Sequence, residues 1–517
     1  MSPSRRAYAV AAVYLGTFMA TLAVSILAVA LPAIQAGLHA SFAGLQWVVG
    51  SLTLCMSAFM LSAGPVGDRY GRKRTWLGGV ALFMLGSATS ACASSLLQLV
   101  AGCALQGVAG ALVIPGALSI ITKAYSNPIE RAHVIGGWAS FTAISVIVGP
   151  MLGGIIVDTV GWPSIFLINL PVGFVALGLG LFGITESADP DHAAVDPAGQ
   201  FLSAVFLAAL TYALIGAGHA GWRATPVLEG FGIAIAALGT FIVVEVRVRR
   251  PVFPMDLFRD SGFTSLNVAS FVLGFSGYSG LFLFSLFLQQ AQRWSAAQAG
   301  WRMAPVFVAM SLVSPISGRL ADRYGAWPMV LGYVLLGIAL LGMASFSPTT
   351  SYDFIAALFA ILGIGLGLAV PSTSAAAMAA VPHERSGVAS ATINALRQCG
   401  MTIGVAMLGT IMDARAVSHV ARTLSSANVP NAAELAALAV GRHQMPSGLG
   451  MAQEAFRMLL ARAVAEGFSA ATICAGVAGL AAPLILIPVA RRIASMRQTR
   501  RNIGNVSLIT VAEDEPL

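Results

Sequence analysis

From residue 75 to residue 122 the chain carries no Asp, Glu, Lys or Arg. A helix rising 1.5 Å per residue crosses the ~30 Å hydrocarbon core of a bilayer with about 20 residues. The stretch is therefore too long for one crossing and suited to a tightly joined pair. Further apolar runs cover residues 7–38, 40–67, 134–157, 159–185, 198–218, 224–244, 261–292, 303–318, 326–352, 354–382, 386–412 and 467–490. Lipid offers no hydrogen-bond partner to a backbone N–H or C=O, so such runs fold as helices. The expectation is an all-α polytopic membrane protein with fourteen transmembrane helices. Charge placement supports that count: with Arg5 and Arg6 on the cytoplasmic side, alternate loops put most of the 29 Lys and Arg there, as the positive-inside rule requires. Both termini are then cytoplasmic, and residues 413–466 form a long external loop, partly amphipathic near 451–465.

Two loops stand out. Residues 64–74 read G-P-V-G-D-R-Y-G-R-K-R, and residues 318–325 read G-R-L-A-D-R-Y-G. Asp68 can cap a helix N-terminus, while Arg69, Arg72, Lys73 and Arg74 stay at the membrane surface. The echo at Asp322 and Arg323 implies two halves built on one plan. Between them, residues 186–197 form a polar, Pro-punctuated linker. The expected division is a first six-helix bundle over 1–186, a linker and inserted helix pair over 187–260, a second six-helix bundle over 261–490 and a cytoplasmic tail over 491–517.

With 10% charged and 57% hydrophobic residues, against about 25% and 45–50% in soluble domains, most of the chain is solvated by lipid. The net charge of +8 resides in short loops between apolar runs, which anchors a membrane protein and gives no support to a nucleic-acid partner. Cys55, Cys92, Cys103, Cys399 and Cys474 are scattered through apolar segments and read as small buried hydrophobes, not as a disulfide framework or metal site. No nucleotide-binding glycine loop follows a strand and no nucleophile-base cluster appears, so neither enzymatic activity nor a cofactor is expected. The first apolar run lacks a small-residue cleavage site and reads as a retained helix.

Several motifs in order carry a family resemblance. The run 64–74 matches a loop signature between second and third helices. Gly149-Pro150-Met151-Leu152-Gly153-Gly154 matches a fifth-helix signature of exporters. Trp162 with Ile165-Phe166-Leu167-Ile168-Asn169-Leu170-Pro171 fits W-x-x-I-F-x-I-N-x-P. Glu384-Arg385-Ser386-Gly387, followed by Asn394, Arg397, Gln398 and Gly400, fits a thirteenth-helix pattern. Over residues 18–410 the chain resembles the major facilitator superfamily, specifically its fourteen-helix drug:proton antiporter branch of the EmrB/QacA type. The resemblance implies two six-helix bundles around a central cavity, an inserted pair near 198–244, alternating access and multi-pass residence in the cytoplasmic membrane. It implies a small-molecule substrate and a proton as coupling ion. A periplasmic adaptor protein is a further partner it admits.

The gating expectation falls on Gly64, Asp68, Arg69, Gly71, Arg72, Lys73, Asp322 and Arg323 as a latch between the bundles, and on Gly149, Pro150, Gly153 and Gly154 as a hinge or seal. Arg397 lies too deep to snorkel, about 17 Å from the cytoplasmic end at 1.5 Å per residue, and must face protein or a wet cavity. Asn394 shares its face and Gln398 borders it. Tyr278, Gln289 and Gln290 belong to an aromatic-rich helix with Phe271, Phe275, Phe282, Phe284 and Phe287, whose stripe reads as core or lipid-facing before pocket. The substrate-binding expectation is Arg397, Asn394, Gln398, Gln289 and Tyr278.

The chain departs from the branch where Ala23 and Ala28 replace an Asp and an Asn, and Cys103 replaces an Arg. No Asp or Glu is expected in mid-span, and Asp158, Glu229 and Asp353 lie at edges. A cavity poor in negative charge disfavours a dicationic substrate and suits a neutral or anionic one. Three other readings share the fold: facilitated diffusion without proton coupling, a non-transporting membrane sensor, and a lipid-handling protein.

Overall fold

The computed structural model describes residues 3–188, 196–248, 253–382, 385–446 and 451–513, with the side chains of residues 3, 219, 322, 494 and 496–513 outside the description. Among the described residues all regular structure is helical. The first half comprises α1 (Pro3–Leu38), α2 (Phe42–Met60), α3 (Ala63–Tyr70), α4 (Arg72–Ala91), α5 (Leu96–Ala124), α6 (Pro128–Thr159), α7 (Ser164–Leu167) and α8 (Asn169–Gly183). A pair follows, α9 (Pro197–Ala220) and α10 (Thr225–Arg247). The second half comprises α11 (Ser261–Val272), α12 (Gly280–Leu286), α13 (Ala296–Arg302), α14 (Ala304–Tyr324), α15 (Trp327–Met343), α16 (Tyr352–Ala379), α17 (Ser386–Ser426), α18 (Ala432–Arg442) and α19 (Gln453–Glu513). Among the described residues, twelve stretches are long and apolar enough to cross a membrane. Two further helices fall short of that measure: α4 has Arg72-Lys73-Arg74 in its first turn, and α15 has 17 residues.

The two signature loops share several local features. In both, a helix stops at a tyrosine and turns on a glycine with positive φ, Gly71 at +102° and Gly325 at +69°. Their N–H groups donate to Gly67 O at 3.0 Å and Ala321 O at 2.8 Å. The preceding arginines lie over the tyrosine rings, Arg69 on Tyr70 at 5.7 Å and Arg323 on Tyr324 at 5.4 Å. Only glycine takes that backbone conformation without strain.

The apolar cores divide unevenly. One core confined to the first half joins Val13, Met19, Trp76, Phe83, Val113 and Ala176. These residues lie toward the end that carries Asp68. The opposite ends of α1, α2 and α5 contribute Ile26, Leu31, Leu45, Leu52 and Leu99 to a core shared with the whole second half. The halves are thus fused at the end that carries Asp158; toward the other end α2 and α5 still meet α17 through Met56, Met60, Ala111 and Ala395, while Gly136 of α6 and Gly318 of α14 face open space. The aromatic stripe is interior: Phe284 and Phe287 are fully buried, and Phe287 stacks on Phe468 at 4.6 Å while Phe284 meets Phe359 at 5.0 Å.

The segment 413–466 is largely helical, and its expected amphipathic stretch near 451–465 falls at the start of α19. Helix α17 continues past residue 412, α18 folds back, and α19 begins at Gln453. Ala416, Val420, Leu424, Ala436, Leu460 and Ala463 bury one another in a small cap. Apolar residues at four-residue spacing sustain the helix through Asp413 and Arg415, where charge alone suggested a loop.

Trp76 shows how the first-half core is locked. It is fully buried. A Cβ on Gly16 would stand 2.6 Å from its ring, one on Gly180 2.8 Å and one on Gly116 3.2 Å. Trp76→Ala should cost about 3–5 kcal/mol, read as a clear drop in thermal midpoint of the purified protein. An unchanged midpoint would contradict this packing.

Candidate functional site

The fused end is built by backbone contact between α6 and α13. A Cβ on Gly154 would sit 2.6 Å from Ala297 Cα, and one on Gly300 2.7 Å from the Pro150 carbonyl carbon. One turn beyond Gly154, Asp158 reaches across the seam. Its Oδ2 accepts from Ser295 Oγ at 2.7 Å and from Ala297 N at 2.9 Å, and its Oδ1 accepts from Ala296 N at 3.3 Å. A carboxylate at a helix start satisfies orphan N–H groups and the positive dipole end together. Gly149 and Gly153 instead pack on Ser25 and Ile26 of α1. The glycine signature therefore divides: Gly149 and Gly153 hold the first half together, while Pro150 and Gly154 form the seam.

Glutamines extend this closure. Gln289 Nε2 donates to Val29 O at 3.0 Å, and Gln290 Nε2 to Gln35 Oε1 at 2.8 Å. Gln35 Nε2 in turn donates to Gly441 O at 3.1 Å. Along α2 and α17, Gln46 Nε2 donates to Val405 O and Ala406 O at 3.0 and 2.8 Å, and Thr402 Oγ1 donates to Thr53 Oγ1 at 3.0 Å. Helix α9 straddles this second seam. Gln200 bonds Ser62 Oγ and, at 2.9 Å, Ala58 O in the first half, and Thr410 Oγ1 of the second half donates to Leu214 O at 2.9 Å.

Arg397 is half-buried in α17. Its Nη2 donates to Asn394 Oδ1, and its guanidinium carbon lies 5.7 Å from the Tyr278 ring centroid. Among the described residues no carboxylate lies within ion-pair distance of it. Helix α17 is pressed onto a π-helical turn at Leu273–Tyr278. A Cβ on Gly274 would meet the Arg397 carbonyl oxygen and lie 2.8 Å from Met401 N. A guanidinium is a fork of donors without an acceptor, so this spot can grip a carboxylate, a phosphate or carbonyl oxygens, and Tyr278 adds an aromatic face.

The structure thus unites Arg397, Asn394 and Tyr278. Gln398 turns to the seam, its Nε2 3.1 Å from Met56 Sδ. Gln289 is spent on the α1 backbone, eleven residues or roughly 16 Å along the helix from Tyr278.

At the Asp68 end the signature loop engages its own half. Asp68 Oδ1 accepts from Arg72 Nε at 2.8 Å, so it is not the helix cap expected from sequence. Glu186 takes that place at the start of α4, accepting from Lys73 N at 3.1 Å and Arg74 N at 3.3 Å. Gly71 is needed twice, for its positive φ and because a Cβ there would stand 2.6 Å from the Glu186 carboxylate. Lys73 Nζ donates to Leu181 O at 2.7 Å, and Gly64 has open space before it. The side chain of Asp322 lies outside the described residues, as does most of the linker.

Three acids were harder to read. Asp158 follows Gly154 by one helical turn, and that spacing was the signal for its role. Glu186 was hidden in the linker. Asp413, placed by sequence at the start of a loop, is 3% exposed within α17 and corrects the expectation of spans without an interior acid. The positions where the branch carries polar groups are closed: Ala23 and Ala28 are about 5% exposed or less and Cys103 is fully buried.

Known proteins place this architecture. The model of the Major Facilitator Superfamily matches residues 13–405. The methylenomycin A resistance protein of Bacillus subtilis is 32% identical over 82% of this chain and 92% of its own length. The multidrug resistance protein Stp of Mycobacterium tuberculosis is 36% identical over 77% of this chain and 74% of its own, and the tetracenomycin C resistance and export protein of Streptomyces glaucescens is 32% identical over 83% and 80%. Among solved structures, a bacterial homolog of the lysosomal transporter Spinster, inward-facing and occupied, superposes with a TM-score of 0.63 at 19% identity over 95% of this chain and 98% of that one. The chain belongs to the Major Facilitator Superfamily of membrane transporters.

Proposed function

We propose that this protein is a secondary-active exporter of drug-like or secondary-metabolite molecules, driven by proton antiport through alternating access. The carrying observation is the asymmetry of the packing: α6 and α13 are in backbone contact at the Asp158 end, α6 and α14 are open toward the Asp68 end, and a half-buried Arg397 lies beside Tyr278. A fold closed at one end and open at the other is one state of an alternating-access cycle. Relatives named for methylenomycin, tetracenomycin and multiple-drug resistance support the export direction and the substrate class.

In this reading the chain crosses the inner membrane fourteen times, α4 and α15 included, with both termini and the Asp68 end cytoplasmic. Arg-rich loops at that end support the orientation. The Asp68 loop and its echo at Asp322 and Arg323 latch the cytoplasmic side in the opposite state. The substrate is neutral or anionic: a guanidinium with no ion-pairing carboxylate among the described residues repels a dication and favours an acid or carbonyl. One proton moving down a typical gradient yields roughly 4 kcal/mol, enough for about a thousandfold accumulation. The proton is carried by an acid at the edge of a span or in part by the substrate's own acidic group.

In inverted vesicles, an inside-acid pH gradient should accelerate accumulation of a transported drug, and collapsing the gradient should abolish it. Accumulation indifferent to the gradient would overturn proton antiport. Arg397→Gln should lower uptake of an anionic substrate about tenfold or more, the worth of one charge-assisted hydrogen bond, with a smaller effect on a neutral one. Equal transport of the anion by variant and parent would remove Arg397 from the binding site.

A further inference from the structure

The α6–α14 seam repeats itself at a whole number of helical turns. At the Asp158 end, Gly154 and Gly300 bring backbones into contact. Moving toward the Asp68 end by eighteen residues, about five turns at 3.6 residues per turn, leads from Gly154 to Gly136 on α6 and from Gly300 to Gly318 on α14. Five whole turns return a position to the same face of a continuous helix; on the second helix a short break intervenes, where Met303 N closes α13 on Ala299 O at 3.0 Å and Val306 N reaches back to Met303 O at 3.2 Å. The shift along the axis is about 27 Å, close to the hydrocarbon thickness.

A Cβ built on Gly136 or Gly318 would find nothing within 4 Å, and both residues are exposed. A glycine within a helix costs about 1 kcal/mol relative to alanine, and in this state neither residue returns anything for it. Openness alone is not distinctive, because Gly78, Gly178, Gly232 and Gly239 are also open. What singles out Gly136 and Gly318 is that both lie on the two helices forming the seam, at the same offset along the chain from the pair already engaged. Ser140 Oγ donates to Gly136 O at 3.0 Å, so the hydroxyl one turn away turns back onto the helix.

We propose that Gly136 and Gly318 are gating residues that form a second backbone crossing when the Asp68 end closes, replacing the one made by Gly154 and Gly300. Transport then rocks α6 and α14 between two glycine contacts at opposite ends of one seam. The inference rests on the alternating-access reading above.

The test uses the full-length protein with its five cysteines replaced by serine and shown to transport. Gly136→Cys and Gly318→Cys are introduced together, and spin labels at Lys123→Cys and Ala380→Cys, in a separate variant, report whether the Asp68 ends approach. A disulfide needs Cα atoms within about 7 Å, so the cysteine pair should cross-link severalfold faster during turnover than at rest, and the bond should halt transport until reduced. Gly318→Leu should lower turnover about tenfold or more while leaving substrate affinity within about threefold, because closure is lost and binding is not. If the labels approach but no cross-link forms, or if Gly318→Leu turns over normally, the glycine crossing is overturned and alternating access stands. If the labels never approach during transport, both readings fall.

Discussion

The asymmetry of the packing depends on how closely two backbones approach at the Asp158 end. Gly154 and Gly300 remove the side chains that would hold α6 and α13 apart, and Asp158 satisfies the N–H groups that the start of α13 leaves open. In a membrane protein water does not drive helices together, so close packing and satisfied polar groups carry the contact. The seam is therefore strong where it is made and makes no use of side-chain bulk. Such a contact can be exchanged for another of the same kind, which is what a transporter requires.

The separate core around Trp76 serves the same end. Its buried residues all come from the first half, whereas Met56, Met60 and Ala111 nearby pack on Ala395 of α17. Helix α9 complicates the motion, because its base is tied to α2 through Gln200 and its middle to α17 through Thr410. The inserted pair thus spans one seam while the α6–α14 seam is left uncovered by it. Glu186, bound to the start of α4, ties the beginning of the linker to the signature loop.

Much of this was legible in the sequence. Charge-free runs marked the helices, and the depth of Arg397 pointed to a residue facing protein, where it lies half-buried beside Asn394 and Tyr278. What escaped has common physical causes. Composition does not say which way an amide points, and the structure shows Gln289 Nε2 donating to the α1 backbone at Val29 O. Asp413, the charge that marks the expected end of the span, lies inside α17, because apolar spacing continues the helix beyond it. Glu186 was read as linker because a helix cap can come from more than a hundred residues away.

The most direct test of the central claim is side-specific thiol labelling of a single cysteine at Tyr278, in sealed vesicles of both orientations, without substrate or gradient. The account predicts that a membrane-impermeant reagent reaches Tyr278→Cys only from the face on which it also reaches Arg69→Cys. Labelling only from the Asp158 face, or equally from both, would contradict a cleft sealed at one end and open at the other.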